Sequence, residues 1–169
     1  DIFQEINRQF DKAIIVTDVG QHQMLTSQFV DITENRKLIM SGGLGTMGYG
    51  LPGAIGAQIG NPGTPVISIS GDGGIQMNIQ ELATIKEYGL NILIFIINNS
   101  QYGIIRQHEV NKYGMEPYQT DLKNPDFVKV AEAYGLKAKR AEKLEDFQDA
   151  EDYDIVDVAV RFEDIPLPK

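Results

Sequence analysis

Two stretches decide the fold: Pro65-Val66-Ile67-Ser68-Ile69-Ser70 running into Gly71-Asp72-Gly73-Gly74, and Ile92-Leu93-Ile94-Phe95-Ile96-Ile97 running into Asn98-Asn99. The first is a β-branched run that ends in a glycine-rich turn. The second is apolar at every position, the pattern of a strand buried on both faces of a parallel sheet. Between them, Ile75–Tyr88 carries Ile75, Ile79, Leu82 and Lys86 on one helical stripe. The pattern is strand, helix, strand: one crossover unit.

The same alternation extends in both directions. Upstream, Ala13–Thr17 reads as a short buried strand, Gln21–Val30 as a helix, Lys37–Met40 as a second strand and Gly48–Gly60 as a helix packed on several sides. Downstream, Asn124-Pro125-Asp126 opens a helix, with Asn124 as N-cap and Pro125 in the first turn. Phe127, Val130, Ala131 and Tyr134 form the apolar stripe of that helix, and Gly135 stops it. Leu136–Ala141 and Asp154–Val160 read as the last strands, with a helix near Leu144–Ala150 between them. The polar stretch Gln107 to Asn124 reads as a structureless lid or binding loop. The sum is an α/β fold: a doubly wound, mostly parallel sheet with helices on both faces, and residues 1–169 as one domain. Ligands of such sheets sit beyond the carboxyl ends of the strands. Here those ends are Asp18–His22, Ser41–Tyr49, Gly71–Gly74 and Asn98–Gly103, all rich in Gly, Asp, Asn or Gln.

Composition narrows the chemistry. The chain has 169 residues, no cysteine, 15 basic residues against 24 acidic ones and a net charge of −9. Disulfides, zinc–thiolate sites, iron–sulfur clusters and thiol nucleophiles are excluded. The charge argues against a nucleic-acid partner, and no apolar run approaches the length of a membrane span. No signal peptide is expected at the N-terminus, and a cytoplasmic location fits the absence of cysteine. No G-x-S-x-G elbow occurs, and His22 and His108 lack a metal-ligand spacing. The acidic residues between Glu142 and Asp154 read as a solvated surface.

Gly71-Asp72-Gly73 alone reads first as a strand-to-helix turn, and only second as a metal site. Paired with Asn98-Asn99 after the 24 residues 74–97, it places a charged and a neutral oxygen ligand on two sheet strands. Magnesium takes about six oxygens, with only one or two carboxylates and several phosphate oxygens. A rival pattern is present too. Gly43-Leu44-Gly45-Thr46-Met47-Gly48 is a literal G-x-G-x-x-G, with Asp72 available as a ribose-binding acid. That dinucleotide reading leaves the Asn98-Asn99 pair without a role. A third possibility is a non-catalytic regulatory domain that keeps the fold.

The G-D-G…N-N spacing resembles the signature of the thiamine-diphosphate enzymes. Thr17–Met24, Ser41–Pro52 and Met77–Thr84 are similar to the C-terminal, diphosphate-binding domain of acetolactate (acetohydroxyacid) synthase large subunits. The resemblance runs from about Ile14 to Gln107, weakens to Ala141 and is faint beyond. It implies that Asp72, Asn99 and the main chain of Gln101 bind Mg²⁺. It further implies that Gln21, His22, Gly73, Gly74, Tyr102 and Gly103 belong to the cofactor site, with Gln21 and His22 on the diphosphate. Gly45 would offer its backbone to the aminopyrimidine, and Met47 would prop the cofactor in a bent shape. The implied reaction is decarboxylation of a 2-oxo acid such as pyruvate, followed by ligation to a second 2-oxo acid. In that family the activating glutamate comes from a separate pyrimidine-binding domain. No catalytic acid or base is therefore expected in this chain, and a partner domain, an oligomer and a fragment-or-subunit status are. FAD, common in synthase relatives, is expected only with the full enzyme. One departure concerns His108, nine residues after Asn99, where synthases that prefer 2-oxobutyrate carry a Trp.

Overall fold

A computed structural model describes residues 2–161 and 163–165. Its centre is a six-stranded sheet in the order β2-β1-β3-β4-β6-β5. The strands are β1 (Ala13–Thr17), β2 (Arg36–Met40), β3 (Val66–Gly71), β4 (Ile92–Asn98), β5 (Ala138–Ala141) and β6 (Ile155–Ala159). Every neighbouring pair is parallel.

The apolar run of β4 explains its central place. Ile92, Ile94 and Ile96 face one layer, and Leu93 and Phe95 face the other. Each such buried side chain contributes about 1.5–3 kcal/mol, so a strand with no polar face is stable only when covered twice. On one side lie α3 (Gly50–Gly60), α5 (Leu82–Tyr88) and α7 (Phe127–Ala133), through Leu51, Ala54, Leu82, Ile85, Phe127 and Ala131. The opposite side is covered by α1 (Ile2–Gln9) through Phe3 and Ile6, and by Val30 after α2 (Gln21–Phe29). The doubly wound expectation holds, and the sheet is parallel throughout. Helix α1 had no counterpart in the sequence reading. Its C-terminal end is held by the buried Arg36, whose guanidinium donates to the Asn7 and Phe10 carbonyls.

Four local expectations need correction. The single helix over 75–88 is instead α4 (Asp72–Ile75), a 3₁₀ turn (Ile79–Glu81) and α5. Asn78 breaks it: its backbone leaves the helical region (φ −137°, ψ 28°), and its side chain donates to the Gly48 carbonyl at 2.7 Å. Lys86, the polar member of the stripe, donates instead to the Gly135 carbonyl beyond α7. The supposed structureless stretch begins inside α6 (Gly103–Asn111), so only 112–124 is irregular. That remainder folds back on the 100–102 turn, with Tyr102 N–H donating to Thr120 and Leu122 N–H to Ser100. Helix α7 is capped by Asp126, which accepts from the Lys129 amide, and not by Asn124. Around Leu144–Ala150 there are two short 3₁₀ turns rather than an α-helix.

Candidate cofactor site

The strand order reverses direction between β1 and β3, and this is where doubly wound sheets open a crevice. The carboxyl ends of these two strands carry Asp18–His22 and Gly71–Gly74. A cavity of about 530 Å³ lies there, within the range of small-molecule sites. All eleven residues expected at the cofactor line it. Gln21 and His22 come from the start of α2, Gly45 and Met47 from the loop after β2, and Asp72, Gly73 and Gly74 from α4. Asn99, Gln101, Tyr102 and Gly103 come from the end of β4 and the start of α6.

The glycines of the 71–74 turn are required by close approach. A Cβ on Gly71 would stand 2.8 Å from the His22 ring, one on Gly73 would stand 2.5 Å from the Tyr102 ring, and one on Gly74 would stand 2.8 Å from the Asp18 carboxylate. Leu122 also packs within reach of Gly73, so the 112–124 segment lies over this turn. Ser100, a non-glycine residue in the left-handed region (φ 57°), separates Asn99 from Gln101. Such a conformation costs about 1 kcal/mol or more and is kept where the surrounding structure imposes it. Here it turns the chain so that the residues on both sides of it reach the same cavity.

Asp72 is 2% exposed. Its carboxylate accepts from Asn124 Nδ2 at 2.6 Å and from the backbone amides of Gly73 and Ser100. These donors are all neutral, and burial pushes its carboxyl above the usual range. A buried carboxylate without a cation is costly, and a divalent ion would relieve that cost. Among the described residues no cluster of three acidic or His side chains exists. One carboxylate, the Asn99 amide and a main-chain carbonyl at Gln101 form a donor set that suits Mg²⁺ when phosphate oxygens complete its shell.

His22 is a buried histidine. It is 7% exposed, and burial pushes its imidazole down to about 4, opposed only by a hydrogen bond with the Asp18 backbone. Among the described residues its Nε2 has no hydrogen-bond partner. A buried, orphaned ring nitrogen on a cavity wall calls for a ligand. Gln21 is engaged within the chain: its Nε2 donates to Gln107 Oε1 (2.9 Å) and to the Glu163 carbonyl (3.1 Å). Met47 is half-buried at the cavity, not packed in the core. His108 lies on α6 and does not line the cavity.

Three structural residues of the site were missed. Asp18, fully buried, accepts from the Gly48 amide (2.9 and 3.0 Å to its two oxygens) and from Val19 (2.6 Å), which ties the 41–49 loop to the end of β1. An acid directly after a buried strand was the available signal. Asn98 and Asn124 form a polar cluster with Asp72. Asn98 stands out in the sequence as part of the Asn98-Asn99 pair and Asn124 as a helix-start residue, but nothing local marks the cluster they form, because their partners are distant in sequence. The G-x-G-x-x-G stretch follows β2, which is an edge strand, and the Gly48 amide is already used by Asp18. That placement departs from the dinucleotide fingerprint, which sits at the switch point with free amides.

Comparison with known proteins identifies the family. Residues 18–153 match the family described as thiamine pyrophosphate enzyme, C-terminal TPP binding domain. The chain belongs to that family. It is 45% identical over 150 residues to the acetolactate synthase large subunit of Cyanidium caldarium, covering 88% of this chain and 26% of that protein. It is 47% identical over 141 residues to a probable acetolactate synthase large subunit of Methanocaldococcus jannaschii (83% and 24%). The mitochondrial acetolactate synthase of Schizosaccharomyces pombe is 43% identical over 150 residues (86% and 22%). The chain therefore spans about a quarter of the length of these relatives.

Proposed function

We propose that this chain is the diphosphate-binding domain of an acetolactate-synthase-like enzyme and binds thiamine diphosphate with Mg²⁺. Asp72, the Asn99 side chain and the Gln101 carbonyl would hold the ion. His22, Gln21 and the Gly73 and Gly74 turn would surround the diphosphate, with Tyr102 and Gly103 closing that end. Gly45 and Met47 would meet the opposite end of the cofactor. The observation that carries this reading is the convergence of all eleven residues on one cavity that holds, among the described residues, a buried carboxylate without a cation and an imidazole nitrogen without a partner.

When bound, the cofactor would supply the carbon nucleophile for decarboxylating a 2-oxo acid such as pyruvate and joining the product to a second 2-oxo acid. The chain's own residues bind and orient. Asp72 would neutralise the ion, and the buried His22 would keep bulk water from the phosphate side. No residue here is assigned as the proton-transferring group. That group would come from a pyrimidine-binding domain, supplied by another chain or segment within an oligomer, and FAD would belong to the full enzyme. The cysteine-free sequence suits a cytoplasmic setting, and among the described residues no helix is long and apolar enough to cross a membrane.

Calorimetry tests the reading. Thiamine diphosphate with Mg²⁺ should bind the full chain, and removing Mg²⁺ with a chelator should abolish binding. NADH should give no heat. Heat from NADH and none from thiamine diphosphate would restore the dinucleotide reading, and silence from both would favour a non-catalytic domain.

A further inference from the structure

A hydrogen-bonded path leads from the protein surface to Asp72, and Asn124 is its last link. Arg140 Nη1 donates to Asp157 Oδ2 (2.8 Å), and Asn98 Nδ2 donates to Asp157 Oδ1 (2.9 Å). Asn124 Nδ2 then donates to Asn98 Oδ1 (3.0 Å) and to Asp72 Oδ2 (2.6 Å). Gln76 Nε2 donates to Asn124 Oδ1 (3.0 Å) and to the Asp72 carbonyl (2.9 Å).

Donor and acceptor logic fixes every amide in this path. The Asp157 carboxylate only accepts, so Asn98 must turn its NH₂ toward it and its oxygen toward Asn124. Asn124 must then present its NH₂ to both Asn98 and Asp72, and Gln76 occupies its oxygen. The Asn124 amide cannot flip without losing three hydrogen bonds. Nor is it needed to start α7, because Asp126 caps that helix.

We propose that Asn124 is a positioning residue for the divalent cation. By gripping Asp72 Oδ2 it holds the carboxylate in one orientation at the end of β3, so the ion meets a ligand already in place. Outer partners of metal ligands act in this way and are worth about 10–100-fold in affinity. The proposal rests on Asp72 being the carboxylate ligand, as assigned above.

The test is a Mn²⁺ titration of the full chain in the presence of thiamine diphosphate. Free Mn²⁺ is read by electron paramagnetic resonance, well below the thermal midpoint. Asn124→Ala should raise the Mn²⁺ Kd about 10–100-fold. Asp126→Ala removes the α7 cap and should lower the thermal midpoint while leaving the Kd within about twofold, because it touches no ligand. Equal affinity of Asn124→Ala and the wild type, with binding lost in Asp72→Ala, would overturn the role of Asn124 and leave the metal site standing. Failure of the wild type to bind Mn²⁺ would overturn both. Should Asn124→Ala not fold, Asn124→Ser is titrated in its place, because it keeps a polar side chain but removes the amide that donates to Asp72 Oδ2. A raised Kd there supports the proposal, and an unchanged one overturns it.

Discussion

Asp72, just past the end of β3, and Asp157, within β6, are both buried acids, 2% and 3% exposed, and one hydrogen-bonded path joins them through Asn98 and Asn124. Their surroundings differ in one respect. Asp157, inside β6, has a cation built in: Arg140 from the neighbouring β5 reaches it at 2.8 Å. Asp72, at the start of α4, has among the described residues an amide side chain and backbone N–H groups as its partners. A buried acid with its own counterion is part of the scaffold. A buried acid held by neutral donors beside a cavity lacks that counterion, which is why Asp72 is the residue proposed to hold the ion. Asp18 is the intermediate case. It too is buried among neutral donors, but the backbone amides of Val19, Gly48 and Gly50 engage both of its oxygens, which makes it a loop staple.

The contrast can be broken most directly at Asp72. Asp72→Ala should abolish Mg²⁺-dependent binding of thiamine diphosphate, a loss of at least about 100-fold by calorimetry, because the only carboxylate of the donor set goes. The thermal midpoint without ligand should move little, since the lost charge was itself desolvated at a cost. A large drop in that midpoint with affinity retained would place Asp72 in the scaffold beside Asp157.

His22 sharpens the same comparison with a group that titrates. Its unfolded pKa is about 6.5, and burial holds the folded value at about 4. Above pH 6.5 both states are neutral and the group favours neither. Between 6.5 and 4 the unfolded chain takes up a proton that the folded chain refuses, so stability falls as pH falls. The full loss is on the order of 3 kcal/mol. Urea unfolding of the wild type should therefore weaken more steeply from pH 7 to pH 4.5 than that of His22→Gln. Parallel curves would mean that the imidazole is not held neutral.

The smallest effect is expected at Asp157. Asp157→Ala leaves Asn98 Nδ2 without its acceptor, which costs about 1–3 kcal/mol of stability. Arg140 adds little to this, since its side chain is about half exposed and relaxes into water. Affinity for the diphosphate should change far less than in Asp72→Ala. A binding loss equal to that of Asp72→Ala would show that the path transmits more than orientation.

Much of this was legible in the primary structure. β4 has no polar face, so it must be central. β3 ends in small residues, so a strand end must be approached closely there. The 24-residue spacing makes the two ends neighbours in the sheet. The helix over 75–88 was misjudged because its apolar stripe continues across Asn78, and only the Gly48 carbonyl, 30 residues away, breaks it. Asn124 was taken for a helix cap because Asn before Pro at a helix start is a good local signal. Asp126 stands nearer the first turn and won the position. The second half of α6 was missed because Gln107–Asn111 has no apolar period. Its buried residue is Gln107, satisfied by the Ile165 backbone far along the chain.

The sequence by itself determined the strand-and-helix alternation, the parallel sheet, and which residue types stand at the strand ends. Those follow from hydrophobic period and turn chemistry, which act over a few residues. Only the tertiary structure decided that Asp157 owns a cation while Asp72 has none among the described residues, that His22 is buried with one nitrogen unmatched by them, and that Asn124 grips a carboxylate 52 residues away. Each of these depends on desolvation and on hydrogen-bond partners brought from other strands, and neither exists until the chain has folded.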